Sequence, residues 1–326
     1  ARVRDADPQV EAWAFIDAEH ARNQARARDA DRSQGGAVGP LHGVPIGIKD
    51  IMDTQDMPTE DGSVLHAGRT PAHDATVVAM LRAAGAVIFG KTVTTEFATY
   101  APGKTRNPHN SGHTPGGSSS GSAAAVAAGM VPLALGSQTN GSLIRPAAYC
   151  GVYGFKPTHG LVPRGGVMKL SRTLDQMGVF ARSLDDVAFA AELIIGYDPR
   201  DPDTRLRARP PLAATASMPP PLPPMLAFVK GPAWEKATEE TREAFAALVG
   251  TLGDRVIEVD LPPAASRSIE WHRIIMEAEM AANLDVEWEK GRDRLSASLQ
   301  VQLGRGREIS ALDYQRACAR IPLLNE

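Results

Sequence analysis

Residues 115–150, PGGSSSGSAAAVAAGMVPLALGSQTNGSLIRPAAYC, restrict the possible folds more than any other part of the chain. A Gly/Ser loop, Gly116 to Gly121, runs into an Ala-rich segment from Ser122 to Ala128 with high helix propensity. Gly129 can end that helix, and Val131 to Leu135 is a short apolar run of the kind buried in sheets. A second turn then presents Ser142 between Gly141 and Leu143. One helix and one strand thus separate two serine-bearing turns, and an α/β fold can bring both turns to one sheet edge.

Three simpler readings compete. A flexible Gly/Ser linker would not lead straight into a helix and a buried strand. A phosphate-cradling loop places Lys beside its final Ser/Thr, and no Lys lies between Lys104 and Lys156. Gly117-Ser118-Ser119-Ser120-Gly121 formally matches a G-x-S-x-G nucleophile elbow with Ser119 as nucleophile. An elbow follows an apolar strand, whereas the polar Asn107–Pro115 precedes this one, and only His159 and His272 lie downstream.

Upstream, Gln9 to Asp31 reads as one surface helix, broken by Gly35–Gly39. Val44 to Ile48 is a short apolar strand with Lys49-Asp50 at its end. A lysine buried there without a paired anion has a lowered pKa, which makes a neutral amine available as a base. A salt bridge to Asp50 or Asp53 would instead keep it charged. Lys91 also ends an apolar strand, Ala86 to Phe89, so spacing leaves two candidate lysines. A helix spans Asp74 to Ala84. His109 and His113 would share a helix face as metal ligands, but Pro108, Gly112 and Pro115 oppose a helix and make loop-bracing or solvated histidines the expectation.

At 326 residues, 43% hydrophobic and 22% charged, the composition is that of a soluble globular chain. The net charge of −3 offers no electrostatic reason for a nucleic acid or anionic membrane partner. Cys150 and Cys318 make neither a disulfide framework nor a metal pattern, which fits a reducing cytoplasm. No 18-residue apolar run appears. Asp198 to Pro224 is rich in Pro, Arg and Asp and reads as an excursion within a single domain, 1–326. Met225–Val229, Thr238–Thr251 and Val256–Val259 follow as a strand–helix–strand unit, and the chain from Glu270 is helical.

The chain resembles the amidase signature family, and within it malonamidase-like amidohydrolases. The resemblance rests on Gly116-Gly117-Ser118-Ser119, the Ala-rich helix, PLALGSQT, Gly141-Ser142, Pro146, Cys150-Gly151, Phe155-Lys156-Pro157-Thr158 and the upstream GVPIGIKD. It implies an α/β amidase signature fold, a central mixed β-sheet covered by helices on both faces. It also implies a Ser–cis-Ser–Lys triad: Ser142 as nucleophile, Ser118 after a cis peptide as proton relay, and Lys49 as base. Backbone N–H groups of Thr139, Asn140, Gly141 and Ser142 would form the oxyanion site, and no cofactor or metal is required. Family members usually extend further at both ends, which implies a fragment.

Two positions depart from the common pattern. Asn140 stands where the family usually has Gly, so the turn needs an Asn that tolerates positive φ. Arg145 follows the nucleophile by three residues, as in malonamidase, which implies a role in binding a substrate carboxylate. The expected activity is therefore hydrolysis of a small amide, with or without a carboxylate of its own, through an acyl-enzyme. The expected partner is a small-molecule amide, with no nucleic acid and no membrane, and with a homodimer open. The alternatives are the amidase-like subunit of a tRNA-dependent amidotransferase, against which Gln138-Thr139-Asn140 argues, and a catalytically impaired homologue.

Overall fold

The computed structural model describes residues 1–325. Strands β1 (Trp13–Phe15), β2 (Pro45–Lys49), β3 (Val87–Thr92), β4 (Leu133–Gln138), β5 (Tyr153–Phe155) and β6 (Gln176–Ala181) form one sheet in the order β1-β3-β2-β4-β6-β5. β2 runs parallel to both β3 and β4, whereas β1, β5 and β6 join antiparallel, so the sheet is mixed.

Alternation along the strands decides which helices cover which face. Leu133 and Leu135 of β4 pack in one core with Val77, Val78 and Leu81 of α3 (Thr76–Ala83) and with Val187, Ala191 and Ile194 of α6 (Leu184–Ile194). Ala134, between them in sequence, packs in a second core with α4 (Ser120–Ala127) and α5 (Ile144–Cys150). This is the α/β arrangement the resemblance implied, with helices on both faces of the central sheet.

The small side chains of α4 let that helix lie close against the strands. Its serines tie it down: Ser122 Oγ donates to the Leu135 carbonyl at 2.8 Å and lies 2.6 Å from Thr92 Oγ1, and Ser120 Oγ donates to the Val93 carbonyl at 3.2 Å. Gly121 is the closest point, because a Cβ there would overlap the Ala12 carbonyl oxygen and the Val93 nitrogen.

Several elements differ from the sequence reading. The single helix expected over Gln9–Asp31 is instead α1 (Arg2–Val10), the edge strand β1 and α2 (Ala18–Ser33). Trp13 is buried in the second core, and its pairing with Thr92 outweighs the helical periodicity. The proline-rich excursion holds a short helix, α7 (Leu212–Ser217), and its start is anchored where Arg164 bonds Asp201 at 3.0 Å. β7 (Leu226–Phe228), α8 (Glu239–Leu252) and β8 (Val256–Glu258) form the expected strand–helix–strand unit, but as a parallel pair apart from the main sheet. Helices α9 (Ser268–Asn283), α10 (Asp285–Gly291) and α11 (Ala297–Glu308) follow, and α9 and α11 close a third core around Phe97 and Leu170. Among the described residues no helix is long and apolar enough to cross a membrane.

Gly121→Ala is expected to lower stability by about 2–3 kcal/mol through overpacking against backbone that cannot yield. Urea unfolding of the two proteins measures this, and a change under about 0.5 kcal/mol would show that α4 can move off the sheet.

Candidate active site

Lys49 closes β2, opposite Thr92 on β3 and on the face covered by α4. Its side chain is 0% exposed. Nζ donates to Ser118 Oγ at 2.7 Å and to Ser137 Oγ at 2.8 Å. Burial pushes its pKa down to about 7, and the charge of Asp175 opposes the fall. The nearby acids are engaged elsewhere: Asp50 lies 3.4 Å from Lys91 Nζ, and Asp53 accepts from Arg69 at 2.9 Å. The salt bridge that would have kept Lys49 charged is therefore replaced by two hydroxyls.

Lys91 is equally buried but pairs in register with Ile48, which sends its side chain to the opposite face. There Nζ donates to the Met52 carbonyl at 2.8 Å and to Thr59 Oγ1 at 2.5 Å. The two lysines that strand spacing could not separate are separated by the side of the sheet on which they lie.

Ser118 follows a cis Gly117–Ser118 peptide, where the resemblance placed one. Ser142 is buried at the turn into α5 and lines, with Ser118, a cavity of about 210 Å³. Among the described residues the Ser142 hydroxyl has no hydrogen-bond partner, so of the relay the resemblance implied only the Lys49–Ser118 bond is formed. Hydroxyls of this kind are often loosely placed before substrate binds. Ser119, the elbow alternative, is fully buried and braced by Ser137, donating to its carbonyl at 3.1 Å and accepting from its N–H at 3.2 Å.

In the second turn the positive φ falls on Gly141, at 146°, and Asn140 has no positive φ. The tolerance expected of Asn140 is thus not used. Asn140 lines the cavity, its side chain donating to Tyr100 Oη at 2.7 Å and accepting from Arg145 Nη2 at 3.1 Å. Among the described residues the backbone N–H groups of Thr139, Asn140, Gly141 and Ser142 donate to no protein acceptor. Gln138 Oε1 holds the turn by accepting from Leu143 and Ile144 N–H at 3.0 and 3.1 Å. Arg145 lines the same cavity, and its Nε is buried without a partner.

Three supporting residues escaped the sequence reading. Ser137 shares the lysine. Asp175 accepts from Thr139 Oγ1 at 2.7 Å and from the Leu170 and Ser171 N–H groups at 2.8 and 2.9 Å, and burial raises its pKa. His272 bonds the Thr139 carbonyl at 3.0 Å, so Thr139 is held from two sides. Ser137 had one local signal, a polar residue at the end of an apolar strand; the other two act only through tertiary contacts. His109 braces the Cys150 carbonyl at 2.8 Å, and His113 is exposed.

The Amidase family description matches residues 1–312, and the chain belongs to that family. A curated relative, a glutamyl-tRNA(Gln) amidotransferase subunit from Rhodopirellula baltica, is 47% identical over 207 residues, 62% of this chain. The match spans 42% of that relative's length. A solved structure described as part of a vestigial protein complex that reveals the origins of an s-triazine catabolic enzyme aligns with TM-score 0.88 at 31% identity, over 98% of this chain and 70% of that one. The peptide amidase of Stenotrophomonas maltophilia aligns with TM-score 0.79 at 31% identity, over 97% and 72%. The amidotransferase relative overturns one expectation, that of a small-molecule amide as partner with no nucleic acid. Its name is that of one subunit of an enzyme whose substrate is a glutamyl-tRNA. Net charge misled because it averages over the whole surface and says nothing of a local binding face or of what a partner protein contributes.

Asp50→Asn removes the carboxylate beside buried Lys91 and is expected to cost about 3 kcal/mol, in the range for a broken buried pair. Thermal or urea unfolding reads this, and wild-type stability would mean that the hydroxyls and carbonyls alone satisfy Lys91.

Proposed function

We propose that Ser142, Ser118 and Lys49 cleave an amide by acyl transfer, and that the chain is the amide-cleaving part of a tRNA-dependent amidotransferase. The observation that carries the chemistry is the buried Lys49 amine, hydrogen-bonded to Ser118 in the cavity that also holds Ser142. Ser142 Oγ bonds to the amide carbonyl carbon while its proton passes through Ser118 to neutral Lys49. A hydroxyl suits that relay because it both donates and accepts. The oxyanion is met by the unengaged N–H groups of the 139–142 turn. The C–N bond then breaks, Lys49 returns the proton to the leaving nitrogen, and ammonia or an amine departs. Water hydrolyses the acyl-enzyme by the same relay. The likeness to the amidotransferase relative supports the assembly in which the freed ammonia is used.

A second reading, hydrolysis of an amide bearing its own carboxylate, is favoured by Arg145, whose guanidinium lines the cavity with no acid against it.

Ser142→Ala is expected to lower ammonia release from an amide donor by at least ~10³-fold. Release within tenfold of wild type would remove Ser142 as nucleophile. Glutamyl-tRNA is expected to bind the protein with its partner subunits, and failure to co-purify or bind would sink the amidotransferase assignment. The base must be neutral, so kcat/KM should rise with pH through about 7 and level above it. Asp175→Asn removes the charge that raises the amine's proton affinity, so this limb should move to lower pH. An unmoved limb would leave Asp175 with a purely structural role.

A further inference from the structure

Arg145 carries the one charge in the cavity wall among the described residues, yet no acid holds it. Its only protein acceptor among the described residues is Asn140 Oδ1, 3.1 Å from Nη2, and its Nε is buried without a partner. The guanidinium lies against the bare Cα of Gly141: a Cβ there would come within 3.0 Å of Nη2 and 3.5 Å of Cζ. Asn140 is braced in turn from two other parts of the chain. Its Nδ2 donates to Tyr100 Oη at 2.7 Å, in the loop after β3, and lies 3.5 Å from Met276 Sδ on α9. Tyr100, Asn140, Arg145 and Met276 all line the cavity. A carboxamide suits this place, because its oxygen accepts from an arginine while its nitrogen donates to a phenol. A carboxylate there would pair with the guanidinium and cancel its charge, whereas a neutral oxygen orients it and leaves the charge for a ligand. Asn140 takes one hydrogen of Nη2, and the other hydrogens of Nη2 and Nη1 meet no protein acceptor among the described residues. The amidase pattern usually has Gly at this position, which has no side chain to reach either neighbour.

We propose that Asn140 is a positioning residue that presets Arg145 for an anionic group of the substrate, and that it thereby sets the selectivity of the site for amides carrying a carboxylate. The inference rests on the second reading above, an amide bearing its own carboxylate, and adds the residue that makes the arginine selective. An untethered arginine is ordered only by the ligand itself. Ordering one long side chain is worth up to about tenfold in affinity, and with Asn140 in place that ordering is already present in the free protein. Because the effect passes through a charge, it separates carboxylate ligands from neutral amides of the same size. The cavity, about 210 Å³, is the room of roughly seven liquid waters at ~30 Å³ each, so short four-carbon probes suit it.

The test measures binding rather than turnover, because the Asn140 N–H belongs to the oxyanion turn. 3-Carbamoylpropanoate and butanediamide share four carbons and nearly the same shape, and differ in whether the remote end is a carboxylate or an amide. Calorimetry on Ser142→Ala is expected to give a dissociation constant about tenfold lower for the carboxylate. In Ser142→Ala/Asn140→Gly, which restores the residue usual in the family, that advantage should fall below about threefold. Asn140→Ala in the same background should do the same, with melting temperatures reporting that each variant is folded. Asn140→Asp should invert the preference, since the new carboxylate competes for the guanidinium. A purely structural Asn140 would weaken both ligands alike and leave the ratio where it was. In Ser142→Ala/Arg145→Ala the ratio should fall to about one, and adding Asn140→Gly should change it no further, because Asn140 acts through the arginine. A tenfold ratio that survives any of the three Asn140 substitutions while Arg145→Ala removes it would overturn the proposal and leave the carboxylate reading standing. Equal affinities in Ser142→Ala, a ratio that survives Arg145→Ala, or no measurable binding of either probe would overturn that reading and the proposal with it.

Discussion

A lysine amine buried at a strand end, bonded to two hydroxyls and to no carboxylate, is the interaction around which this structure is arranged. An ammonium there would lose most of its hydration, and hydroxyl groups cannot replace the missing counter-charge, so burial favours the neutral form. The state is kept by withholding anions. Asp50 is engaged by Lys91 and Asp53 by Arg69. Asp175 bonds Thr139 and two backbone N–H groups and acts on Lys49 only through its field. Lys91, on the other face of the same sheet, is the contrasting case: equally buried, but with an acid beside it.

That arrangement depends on close packing between α4 and the strands. Ser118 meets Lys49 only because the loop before α4 is held against the sheet end. The helix can approach that closely because its inward surface is Gly, Ala and Ser. The serines of the Gly/Ser loop accordingly divide their work. Ser118 faces the amine, while Ser119, Ser120 and Ser122 bond backbone carbonyls and fix the helix in place. The second turn is held as firmly, by Gln138 across the start of α5 and by Asp175 and His272 on Thr139. The cavity between the turns is then closed by α9 and α11, whose Met276, Met280 and Gln302 give it an apolar wall with one amide in it.

Much of this was legible along the chain. The α4–β4 unit, the two serine turns and the strand ending at Lys49 all follow from local composition and short apolar runs, which act over a few residues. The opening segment was not legible, because Trp13 follows a helical spacing yet belongs to an edge strand whose partner, β3, lies some 75 residues on. The positive φ at Gly141 rather than Asn140, and the turn of the Asn140 side chain toward Tyr100 and Arg145, depended on neighbours that come together only in three dimensions.

The amino-acid order by itself determined which residues could carry the chemistry and which family the chain joins, since turns, helix propensity and motif spacing are short-range properties. Only the tertiary structure decided which of two buried lysines faces the serines. Strand register sends Lys49 and Lys91 to opposite faces, and register is set by pairing between segments distant in sequence. Distant pairing likewise set the protonation of the chosen amine, because desolvation and the placement of Asp50 and Asp175 exist only once the sheet and its helices have closed.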